Sequence, residues 1–193
     1  MNQKGFTLVE LLVSLALFSV VLVAAIGSLY TVNQAAARVS AMRTVLDNLS
    51  FATESMSRTI RTGQHIVCGG VDNQTGVPNC PFGNSNGAGT EVSLDSTIDD
   101  KSIDYRWRTD SVTGNGELQK CTIVSGGVTD ASCVAITAPE IDVQHVSFYV
   151  DGADATDGKQ PGVMMMIQGT ANAGSLSIEP FAIQTYISQR ASE

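Results

Sequence analysis

The sequence predicts an α+β protein: a long N-terminal α-helix, transmembrane in its first half and amphipathic in its second, packed on an antiparallel β-sheet. Three observations predict it. An apolar run begins almost at the N-terminus, a stripe of apolar residues at helical spacing follows it, and the remainder alternates apolar with polar residues between Gly- and Asn-rich turns.

The apolar run extends from Leu11 to Ile26 with only Ser14 and Ser19 polar. At ~1.5 Å per residue, a helix from Phe6 to Ile26 is ~30 Å long, enough to cross the hydrocarbon core of a bilayer. A short polar leader ends in Lys4-Gly5, and one carboxylate, Glu10, sits inside the apolar segment. A charge there costs roughly 2.5 kcal/mol or more on insertion scales, so Glu10 calls for a cation.

From Phe6 to Arg61 there is no proline, and the only glycine is Gly27, which predicts one helix of about 84 Å. Gly27 is a candidate weak point, since glycine costs ~1 kcal/mol against alanine in a helix interior; close helix packing is the other reading. Beyond Tyr30, Val39, Met42, Leu46, Leu49, Met56 and Ile60 recur at spacings of three and four, with Thr53 interrupting, a stripe expected to face the sheet. Arg38, Arg43, Asp47, Glu54, Arg58 and Arg61 form the solvated side. Gly63 suits the helix C-terminus.

From Cys68 to Gly89 the density of Gly, Asn and Pro predicts a long irregular loop, which His65 begins. Ile103, Tyr105 and Trp107 then alternate with Asp104, Arg106 and Arg108, as in a half-buried strand. Further strands are expected at Leu118 to Val124, Cys133 to Thr137, Val143 to Val150, Val163 to Thr170 and Phe181 to Ser188. Gly114-Asn115-Gly116, Gly126-Gly127 and Asp151-Gly152 read as turns. The Met164 to Met166 run reads as strand core and edge, not a thioether metal site.

The segment Lys4-Gly5-Phe6-Thr7-Leu8-Val9-Glu10 and the apolar run after it resemble the N-terminus of type IV pilins and type II secretion pseudopilins. The resemblance implies that a prepilin peptidase cuts between Gly5 and Phe6, that the new N-terminal Phe6 is methylated, and that Glu10 becomes the fifth residue of the mature chain. Subunits of this family leave the membrane to form a helical filament. Within one, Glu10 could neutralise the Phe6 amine of a neighbour, which is positive at neutral pH with an ordinary pKa of ~8. Many major pilins carry a proline where this chain has Gly27. The stretch from Asn48-Leu49-Ser50-Phe51-Ala52 through Met56-Ser57-Arg58-Thr59-Ile60-Arg61 resembles the helix end of the minor, J-type pseudopilins and minor pilins. His145 to Gly152, Gly162 to Ile167 and Gln184 to Arg190 resemble the C-terminal sheet of small pilin-like proteins.

The implied organisation is a leader at 1–5, a transmembrane and assembly half of the helix at 6–30, an amphipathic half at 31–62, and a globular β-rich domain at 63–193. The implied partners are other pilin-like subunits, the prepilin peptidase, an inner-membrane assembly platform, and membrane lipid before assembly. The implied location is the inner membrane, single-pass with the C-terminal domain outside the cytoplasm, and then a periplasmic or surface filament. The same N-terminal chemistry serves secretion, adhesion, twitching and DNA-uptake machines. A plain anchor with Glu10 snorkelling to the interface is the alternative for the helix, and a monomeric membrane-tethered binding module is the alternative for the whole chain. A cleaved secretory signal peptide ending near Ala35-Ala36-Ala37 is weighed against by the length of the apolar run and by Glu10 within it.

Four cysteines, Cys68, Cys80, Cys121 and Cys133, fall as two pairs each enclosing eleven residues. Of three possible connectivities, the local one is favoured in an exported domain, and each closed loop would contribute ~3 kcal/mol. A four-cysteine zinc site is the competitor, without Cys-x-x-Cys spacing to support it. Asp151, Asp154 and Asp157 repeat every third residue before Gly158, but their spacing matches no calcium loop, so no metal and no cofactor are expected. A formal net charge of −8 with no Lys/Arg patch disfavours direct nucleic-acid binding. His65 and His145 assemble no site with a nucleophile, and no enzymatic activity is expected.

Overall fold

In the computed structural model, residues 5, 7–69, 77–80, 89–97, 101–123, 132–154, 156, 158–172 and 178–190 are described. One helix, α1 (Leu8–Thr62), is followed by strands β1 (Gln64–Cys68), β2 (Glu91–Ser96), β3 (Lys101–Thr109), β4 (Gly116–Ile123), β5 (Cys133–Ala135), β6 (Ile141–Asp151), β7 (Gly162–Asn172) and β8 (Ile178–Ser188). The chain divides into two compact units, Met1–Ser40 and Ala41–Glu193.

In the first unit α1 runs unbroken through Gly27, and a Cβ added at Gly27 would meet nothing within 4 Å. In the second unit the C-terminal part of α1 buries Val45, Leu49, Ala52, Met56 and Ile60 in a core shared with the strands. This corrects the expected stripe. Leu46 is 47% exposed and its place is taken by Val45, because spacings of four, three, four and four from Val45 hold one face while Leu46 lies one residue, about 100°, around the helix. Val39, in the first unit, is 53% exposed. Thr53 bonds back to the Leu49 carbonyl at 2.6 Å, and its neighbour Ala52 fills the core position.

The strands form two antiparallel sheets where the sequence led us to expect one. The first has the order β1-β2-β3-β4-β5, the second β6-β7-β8. β1 and β2 were not foreseen. His65 lies in β1 and does not open a loop; its φ of 50° coincides with a register break between Gln64 and Val67, a bulge that hides the alternation of the strand. β2 looks polar because Ser93, fully buried, faces Asp104 across the β2–β3 ladder. For the same reason β3 is not half-buried: Asp104 is 1% and Arg106 6% exposed, so both of its faces are covered. β7 is the middle strand of its sheet, with Met165 in the core, so the methionine run lies at no sheet edge.

Two glycines are fixed by close approach. α1 ends one residue before Gly63, whose φ is not positive; a Cβ there would collide with the Leu94 side chain and sit 3.0 Å from the Thr59 carbonyl. Gly63 thus follows the helix C-terminus, as expected, and is held there by packing. A Cβ on Gly116 would collide with the Val143 carbonyl, to which Trp107 Nε1 donates a hydrogen bond that ties the first sheet to β6. The turn before it is built by Asp110, whose carboxylate accepts from the Val112 and Thr113 amides and the Thr113 hydroxyl, with Gly114 at φ 74°. These bonds hold the Asp110 carboxyl below its usual range, the Thr113 hydroxyl contributing most.

Cys68 is bonded to Cys80 and Cys121 to Cys133, and no free thiol remains to form a zinc site. The two bridges differ in place. Cys121 and Cys133 face each other across β4 and β5 within one sheet. Cys80 also pairs with Val150 of β6, its N–H donating to the Val150 carbonyl at 3.0 Å, so the Cys68–Cys80 bridge joins the two sheets.

Candidate functional site

The N-terminal segment starts from a helix cap. Thr7 Oγ1 accepts from the Glu10 N–H at 3.3 Å, and the Thr7 carbonyl accepts from the Leu11 N–H at 3.3 Å. Thr7 is therefore the N-cap and Glu10 the third helical residue, the spacing of a capping box. The signal was in the sequence as Thr-x-x-Glu and had not been singled out. Gly5 is exposed ahead of the cap, while Phe6 lies outside the described residues.

Glu10 stands in the first turn of α1, where its negative charge is favoured by the helix dipole. Among the described residues its carboxylate has no hydrogen-bond or ion-pair partner. Beyond it the helix is apolar all round: the most apolar 18-residue window has a mean hydropathy of 2.6, and among the described residues none of it is buried. Such a surface needs lipid or other helices against it. The two polar residues within it are neutralised locally, Ser14 donating to the Glu10 carbonyl at 2.9 Å and Ser19 to the Leu15 carbonyl at 2.8 Å. The helix is long and apolar enough to cross a membrane.

The remaining candidate positions form no cluster. Asp151 pairs with Lys159 at 3.4 Å, and Asp154 accepts from the Thr156 amide at 2.9 Å and hydroxyl at 2.7 Å, which holds its carboxyl below the usual range. Asp157 lies outside the described residues, as do the Gly126-Gly127 turn, Val124 and most of the stretch between Cys68 and Gly89. His65 Nδ1 meets Asp95 Oδ2 at 3.1 Å, and His145 is exposed on β6. Among the described residues no three His, Cys, Asp or Glu side chains converge as metal ligands would.

Residues 1–26 match the family model of the prokaryotic N-terminal methylation motif. No curated protein and no solved structure matches the chain. The motif points to a type IV pilin-like chain, a substrate of the prepilin peptidase that assembles with other pilin subunits, and to a structural subunit in place of an enzyme. With the unburied apolar helix, it also points to membrane anchoring.

Proposed function

We propose that this chain is a minor subunit, at the tip or the start, of a type IV pilus or type II secretion pseudopilus. The observation that carries the reading is the methylation motif seated on a capped helix long and apolar enough to cross a membrane. The preference for a minor subunit rests on the resemblance of Asn48 to Arg61 to J-type helix ends.

In this reading, residues 1–5 are removed by cleavage between Gly5 and Phe6, and the segment 6–30 first holds the subunit in the inner membrane. The assembly platform then transfers it to the filament. Glu10 selects a neighbour with a free Phe6 amine, the segment 31–62 carries the domain 63–193, and that domain is displayed outside the cytoplasm. The helix cap supports the role of Glu10, because it fixes the Glu10 backbone in the first turn of the helix.

Removing one partner of a buried ion pair costs about 3–5 kcal/mol. Glu10→Ala should therefore leave membrane insertion intact and sharply reduce the amount of subunit in sheared filaments, measured by immunoblot of sheared and membrane fractions. Undiminished incorporation would overturn the role of Glu10, and a wild-type chain that never leaves the membrane fraction would overturn the filament.

A further inference from the structure

The chain carries 19 acidic against 11 basic side chains, so an arginine in it meets carboxylates more readily than other cations. At the C-terminal end of α1 that balance reverses. Two open clefts of about 850 and 640 Å³ adjoin there, and Arg61, Thr62 and Arg190 line both. Lys159 and His65 stand in the wall of the larger, Arg58 in that of the smaller.

Most of these charges are already answered. Arg58 lies 3.8 Å from Glu54, Lys159 3.4 Å from Asp151, and His65 3.1 Å from Asp95. Asp154, the other carboxylate in the wall, is turned to Thr156. Arg61 and Arg190 are different: among the described residues neither guanidinium has a hydrogen-bond or ion-pair partner. Their backbones are joined, the Arg190 N–H donating to the Arg61 carbonyl at 2.9 Å, and both residues line the same two clefts.

Cations gather at helix C-termini to offset the dipole, and that is the simplest explanation of the pair. The carbonyls at this end, however, are satisfied by other groups. The Arg190 N–H takes that of Arg61, the Thr97 hydroxyl takes that of Thr62 at 2.7 Å, and the Gln189 side-chain amide takes that of Gly63. Neither guanidinium is used for capping. Among the described residues no carboxylate answers either charge, which leaves both guanidinium groups open to an incoming anion.

We propose that Arg61 and Arg190 form the seat of a carboxylate supplied by an acidic peptide segment of an adjoining subunit, an inference that rests on the filament reading. Guanidinium forks bind carboxylates through paired hydrogen bonds. The hydroxyls of Ser57, Thr62, Tyr186 and Ser188 line the smaller cleft beside them and can take a segment's remaining polar groups. A second copy of this chain is itself rich in carboxylates. A nucleic acid fits less well: binding its backbone requires a longer basic track than one pair.

The test is fluorescence anisotropy of the full-length chain in detergent with fluorescein-labelled hexaglutamate. Saturable binding is expected, weakened roughly tenfold or more by Arg61→Gln/Arg190→Gln, while the pair Arg43→Gln/Lys120→Gln, which lines neither cleft and loses the same charge, leaves it unchanged. Arg61→Lys/Arg190→Lys keeps the charge and should retain part of the binding, which separates a lost seat from a misfolded domain. Absence of saturable binding, or equal weakening by the Arg43/Lys120 pair, would overturn the proposal. So would displacement by inorganic phosphate at concentrations matching the peptide, which marks a small-anion pocket, or tighter binding of a single-stranded oligonucleotide. A chain that binds the peptide yet never appears in sheared filaments would fault the filament reading and leave the carboxylate seat standing.

Discussion

Asp104 is the one carboxylate among the described residues that the fold buries almost completely. Its Oδ1 accepts the Ser93 hydroxyl at 3.0 Å, and its Oδ2 has no partner. Burial pushes its pKa up to about 6, Glu91 adds to the rise, and the Ser93 bond with Arg106 and Arg108 partly offsets it. The folded state therefore holds this proton more tightly than the unfolded chain. Stability from this group is fully present below pH ~4 and is lost as pH rises through about 6, a change of up to about 3 kcal/mol. Thermal unfolding at pH 4.5 and pH 7.5 should show about two thirds of that loss in the wild type and a smaller one in Asp104→Asn. An equal loss in both would place the pH dependence elsewhere. None of this was visible in the sequence, where Asp104 reads as the solvent side of an alternating strand. The cover on the second face of β3 comes from tertiary packing, which a period-two pattern does not register.

At the scale of elements, Gly27 interrupts an otherwise strong helix former, and the space around it is open. Gly27→Ala should raise helix stability by ~1 kcal/mol, read by circular dichroism of the full chain in detergent. If local melting at that point serves assembly, the same substitution should slow incorporation; unchanged incorporation would remove that role. The two disulfides close loops of equal length, so loop entropy gives each ~3 kcal/mol. They should nonetheless differ. Cys68 and Cys80 are both buried and link two sheets, whereas Cys121–Cys133 joins neighbouring strands already held by a ladder. Cys68→Ser/Cys80→Ser should thus lower the unfolding midpoint more than Cys121→Ser/Cys133→Ser, and the reverse order would contradict the stapling of the sheets. The long helix and the six strands from β3 to β8 could be read from periodicity, because each has several apolar residues at its own repeat. β1 and β2 could not, since a bulge at His65 and a buried serine at Ser93 erase the alternation. The number of sheets was equally hidden. It depends on long-range links such as Trp107 to Val143 and Gly116 beneath it, for which local sequence carries no signal.

At the scale of the whole molecule, the chain joins a lipid-compatible helix to an acidic, disulfide-bonded β domain. The N-terminal segment was the most legible part, because its chemistry is local: a Lys-Gly leader, a carboxylate inside an apolar segment and an unbroken apolar run. The Arg61–Arg190 pair was not legible, since one residue lies in the last turn of α1 and the other follows β8, and the fold joins them through a backbone hydrogen bond. The central claim is that the first five residues are removed and the new terminus enters a filament. Mass spectrometry of the N-terminal peptide from the membrane fraction tests it most directly. A peptide beginning at Phe6 and heavier by one methyl group is the expected result. A chain still beginning at Met1, or one beginning after Ala37, would contradict it and leave a tethered or secreted binding module in its place.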